Sequence, residues 1–107
     1  MSAQTIKLLG PSGQLLATGQ VDWEQDRFSG HLDLGAMPAP LLQTFQEFDE
    51  IVNDRIFSLL DDIEQRIHDL GIKVVFDDGS EAFAEDLQIY PSTGLASFKV
   101  KTLARLR

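Results

Sequence analysis

The stretch PAPLLQTFQEFDEIVNDRIFSLLDDIEQRIHDL, Pro38 to Leu70, decides how this chain of 107 residues is read. After Pro40 it holds neither Gly nor Pro until Gly71, and apolar residues recur at Leu41, Phe45, Phe48, Val52, Ile56, Leu60, Ile63, Ile67 and Leu70. Their average step of about 3.6 is the period of a straight helix, so the spacing predicts one uninterrupted rod over residues 38–70 with a single apolar stripe. Pro38 or Pro40 suits its first turn, where a missing N–H costs nothing. Gly71 suits its C-terminal cap, and Arg66 and His68 sit favourably against the negative end of the helix dipole.

Working outward, residues 5–34 alternate with period two and read as a first antiparallel meander of three strands. Gly10-Pro11-Ser12-Gly13 is its first turn and Glu24-Gln25-Asp26 its second connection. Residues 72–103 repeat the pattern. Shifting the chain by 66 positions lays Ile72-Lys73-Val74-Val75 on Ile6-Lys7-Leu8-Leu9, Gly79 on Gly13, and Phe98 and Val100 on Leu32 and Leu34. Asp77-Asp78-Gly79-Ser80 and Tyr90-Pro91-Ser92-Thr93-Gly94 are the turns of this second meander. Its apolar face is expected to hold Ile72, Val74, Phe76, Phe83, Leu87, Ile89, Phe98 and Val100. The expected architecture is a single α+β domain over residues 1–107, β3-α-β3. Its two meanders form a pseudo-repeat and a curved sheet packed on one long central helix, and a basic tail follows at 104–107.

Length, composition and charge narrow the function classes. A chain of this size buries roughly 60 to 70% of the surface its unfolded form exposes, enough for one core without staples. The absence of Cys removes disulfides, thiolate metal sites and cysteine nucleophiles. Neither a secretory leader nor an apolar run of membrane-spanning length is visible, so a cytoplasmic location is expected. The formal charge is -8, and four of nine basic residues (Lys99, Lys101, Arg105, Arg107) fall at the end, leaving a strongly acidic body. Such a field repels phosphate backbones and anionic lipid, so neither nucleic acid nor a membrane is the expected partner.

Motifs for chemistry are missing. Gly10-Pro11-Ser12-Gly13 opens no helix and is not a phosphate loop. His31 and His68 are isolated, and Asp77 to Glu81 lacks the ligand spacing of a calcium loop. No cofactor or metal is implied.

Three features of the rod bear on function. At 100° per residue, Glu47, Glu50, Asp54, Ser58, Asp61, Gln65 and His68 lie opposite the apolar stripe and form a polar face. Phe57 falls toward that face and Ile51 lies off the stripe on its other flank, a surplus of apolar surface that makes both interface candidates. Asp49 is the converse, a carboxylate at the edge of the apolar stripe. The length of the rod is itself informative: about 48 Å, against about 24 Å across six strands. Its end projects, or it bends near Asn53-Asp54 or Ser58, or the sheet curls around it.

The expected function is therefore a non-enzymatic protein–protein interaction or assembly module, a homodimer or the partner of another protein. A long helix wrapped by a curved antiparallel sheet also resembles the hot-dog fold. That resemblance implies an acyl-ligand binder or thioesterase with Asp49, Glu47 or Glu50 as acid/base, although three strands here precede the helix where that fold has one. A third alternative is a divalent-cation sensor using the acidic helix face.

Overall fold

The computed structural model describes residues 3–102. Residue 103 of the second meander and the basic tail 104–107 lie outside the described residues. Six strands, β1 (Gln4–Leu9), β2 (Leu15–Glu24), β3 (Arg27–Asp33), β4 (Lys73–Phe76), β5 (Glu81–Tyr90) and β6 (Leu95–Thr102), close into an antiparallel barrel in the order β1-β2-β3-β6-β5-β4. Two helices, α1 (Ala39–Asn53) and α2 (Phe57–His68), lie between β3 and β4 in sequence.

This corrects the expected architecture in two respects. The sheet does not lie as a curved layer on a helix: it closes on itself, because β1 pairs with β4 and β3 with β6, and among the described residues no strand is left at an edge. Nor is there one long central helix. The rod over 38–70 would measure about 48 Å, whereas the whole molecule extends 40 × 28 × 26 Å. The chain breaks at Asp54-Arg55-Ile56 and folds back, which brings Ile63 and Ile67 of α2 into the same core as Phe45 and Phe48 of α1. The long helix on which the hot-dog resemblance rests is absent, and the resemblance falls with it.

The break uses a helix stop that requires no glycine. The N–H of Arg55 donates to the carbonyl of Val52 at 3.2 Å and that of Ile56 to the carbonyl of Ile51 at 3.0 Å, the paired bonds of a Schellman motif. Arg55 carries the left-handed conformation this motif needs, at φ 57. An L-residue there costs about 1 to 2 kcal/mol. Burying one Ile or Phe returns roughly 1.5 to 3 kcal/mol, so the fold-back is favoured by the core it completes. At the far end of α2, Gly71 adopts φ 65.

The seams between the two meanders are centred on residues 66 positions apart: Leu8 faces Val74 across β1–β4, and Gly30 faces Ala96 across β3–β6. Gly13 and Gly79, separated by the same interval, adopt φ 84 and φ 87 in equivalent turns. The halves differ at β5, where a bulge between Glu85 and Gln88 places Asp86 at φ 51. One extra residue reverses which side chains point inward. Ala82 therefore lies in the core together with Leu87 and Ile89, and Phe83, expected inside, is exposed.

The helices occupy the barrel end that carries the β1–β2 and β5–β6 turns. Pro38, Pro40 and Leu41 at the start of α1 face Pro11 and Gln14 across a groove, and Asp49 bonds to Ser92. At the opposite end Trp23 lies half-exposed, edge-on to Phe28 with ring centroids 4.8 Å apart. Phe28 in turn stacks on Phe98 at 5.5 Å. No helix among the described residues is long and apolar enough to cross a membrane.

Candidate functional site

Asp49 is the one charged side chain among the buried described residues, at 6% exposure. Its Oδ2 accepts from the N–H of Ser92 at 3.0 Å and from the Ser92 hydroxyl at 2.7 Å, and its Oδ1 accepts from Nδ2 of Asn53 at 2.9 Å. All three donors are neutral and belong to the chain itself. The carboxylate thus fastens the β5–β6 turn to α1, and the site around it is a positioning node. Ser92 lies 43 residues from Asp49 and carried no sequence signal beyond its place in a turn. Burial and the Asp49 carboxylate together push the neighbouring Tyr90 phenol up, while its hydroxyl donates to Oε1 of Gln88 at 3.0 Å.

Glu47 and Glu50, the other acid/base candidates, do not converge with Asp49 on a reacting position. Glu47 accepts from Nη2 of Arg66 at 3.0 Å. Glu50 lines a depression of about 440 Å³ together with Gln46, Asp49, Asn53, Pro91 and Ser92. It is open to solvent, without the enclosed depth that an acyl chain would require.

A second depression, about 360 Å³, lies between α2 and β5 and is lined by Asp61, Glu64, Gln65, His68 and Asp86 among others. Burial pushes the Glu64 carboxyl up, and the carboxylates of Asp86 and Asp61 push it further. Asp86 is not free, since its Oδ2 accepts from Nη1 of Arg27 at 2.8 Å and its carbonyl from Nη2 at 3.0 Å. Arg27 Nε also donates to the Ser97 hydroxyl. The guanidinium therefore ties β3, β5 and β6 together at the bulge. Among the described residues no group of three or more His, Cys, Asp or Glu side chains is placed to hold a metal ion.

The two interface candidates separate. Ile51 is buried in the core at 4% exposure, and Phe57 stands in solvent at 64%. Phe57 is not alone: Ile56 at 40% and Leu59 at 50% are its neighbours at the α1–α2 elbow. Three large apolar side chains within four residues of sequence are thus exposed at the elbow, with Asp54, Asp61 and Asp62 on either side in sequence. The sequence placed Ile56 on the buried stripe, because the stripe was projected through a bend. No protein-family model, curated protein or solved structure matches the chain.

Proposed function

We propose that the protein is a non-enzymatic interaction or assembly module whose contact surface is the α1–α2 elbow. The observation that carries this reading is the exposure of Ile56, Phe57 and Leu59 side by side. Apolar residues scattered singly need no explanation, but three exposed within four positions at the start of one helix point to a covered surface. The closed barrel supports the same choice. In the closed form no strand edge is left free among the described residues, so contact with that form uses side-chain surface.

Light scattering across a concentration series, on wild type and Phe57→Glu, tests the proposal together with co-purification from native extract. Wild type should self-associate or retain a stoichiometric partner, and Phe57→Glu should lose either while keeping its circular dichroism and melting temperature. A wild type that stays monomeric and retains no partner would refute it.

A further inference from the structure

We infer that the elbow is a hinge, and that two copies of the chain assemble by exchanging their β1–β3 halves while residues 39–68 of each straighten into one helix. This rests on the elbow being the contact surface and adds how the partner, a second copy, is engaged.

Four observations support it. First, the apolar stripe from Leu41 to Leu70 keeps its helical step through the elbow without a Gly or Pro, so the local sequence favours the straight form. Second, the connection is only three residues, Asp54 to Ile56, and its central residue, Arg55, holds a left-handed conformation at φ 57. Short hinge loops under strain invite exchange. Third, the barrel is divided at the elbow into two intact meanders that meet at two antiparallel seams, β1–β4 and β3–β6. A second copy re-forms every hydrogen bond of both seams, so exchange changes little beyond the hinge itself. Fourth, Ile56, Phe57 and Leu59 are exposed only where the chain folds back. In the exchanged pair the two straightened segments pass each other at the twofold, and these side chains meet their equivalents.

The chain has no Cys, so an engineered pair across a seam reports the exchange directly. Lys7 and Val75 are opposed across β1–β4, at a separation a disulfide spans. The Lys7→Cys/Val75→Cys chain is unfolded, refolded at high protein concentration, oxidised, and run on a denaturing gel without reductant. Exchange gives a covalent dimer, and closure within one chain gives a covalent monomer. His31→Cys/Leu95→Cys repeats the measurement at the β3–β6 seam, should the first pair fail to fold.

Hinge variants supply a second readout. Arg55→Gly accepts the left-handed conformation and weakens the straight helix, so the dimerisation constant should fall by about tenfold or more. Asp54→Ala/Arg55→Ala favours the straight helix and should raise it. Monomers throughout, for wild type and for the double alanine variant, overturn the inference. So do dimers whose disulfides stay within each chain, an outcome that leaves the elbow as a contact surface and refutes the exchange.

Discussion

Asp49 on α1 and Ser92 in the β5–β6 turn form the polar link between the helices and the barrel, with both the backbone N–H and the hydroxyl of Ser92 donating to one carboxylate oxygen. Removing that carboxylate takes the acceptor from three donors at once, in part-buried bonds whose donor residues, Ser92 and Asn53, are exposed to water. Asp49→Ala should lose about 1 to 3 kcal/mol of unfolding free energy, because water can reach the released donors, and Ser92→Ala, which keeps the backbone bond, about 0.5 to 1 kcal/mol. Urea unfolding followed by circular dichroism measures both. Equal losses would show that the Ser92 hydroxyl alone matters.

Gly19 and Gly30 lie where β2 and β3 approach too closely for any side chain. A Cβ at Gly19 would stand 2.1 Å from the carbonyl oxygen of His31, and one at Gly30 would stand 2.0 Å from that of Gln20. Backbone must move to admit either, so Gly19→Ala and Gly30→Ala should each cost about 3 kcal/mol or prevent folding. Gly13→Ala meets no neighbour but sits at φ 84, and should cost only about 1 kcal/mol. Thermal melts of the three variants check the order.

Arg27 holds the β5 bulge through a forked contact to Asp86 and a bond to Ser97. A lysine retains the charge but cannot make the fork. Arg27→Lys should therefore lose most of what Arg27→Ala loses, about 1 kcal/mol in this partly exposed setting. Hydrogen exchange should quicken first at Asp86 to Gln88.

Two carboxyls make opposite contributions to acid stability. The folded chain raises the Glu64 pKa, by burial and then by Asp86 and Asp61, so it binds that proton more tightly than the unfolded chain. Its destabilising effect is present at neutral pH and is relieved as pH falls through the folded-state value. Glu64→Gln should raise the melting temperature at neutral pH, and the gain should vanish below about pH 4. Asp78 is lowered by bonds from the hydroxyl and N–H of Ser80. Its stabilisation is present above the ordinary aspartate range and is lost as pH falls through the folded-state value. Asp78→Asn should therefore matter at neutral pH and cease to matter in strong acid, as melts across the acid range would show.

Much of this molecule is written locally. Period-two alternation, the turn residues around Gly13 and Gly79, and the 66-residue interval between matching stretches are properties of short segments, and the sequence alone determined six strands in two groups of three. Its 3.6-residue periodicity also marked most of residues 39–68 as helical, since that period follows from backbone geometry. The same periodicity carried the stripe straight through the break at Asp54-Arg55-Ile56, and so placed Ile56 inside and Ile51 off the core. What it left open was decided by contacts between distant residues. A helix stop at Arg55 carries no glycine to announce it, and it forms because the folded-back α2 buries Ile63 and Ile67 against a core shared with α1. The bulge at Asp86 turned Phe83 outward, and Arg27, 59 residues away, holds that bulge in place. Closure of the barrel, the bonding of Asp49 to Ser92, and the solvent exposure of Ile56 beside Phe57 have the same origin. Periodicity records which way a side chain points along its own element, and only tertiary packing fixes where that element ends and what stands opposite it.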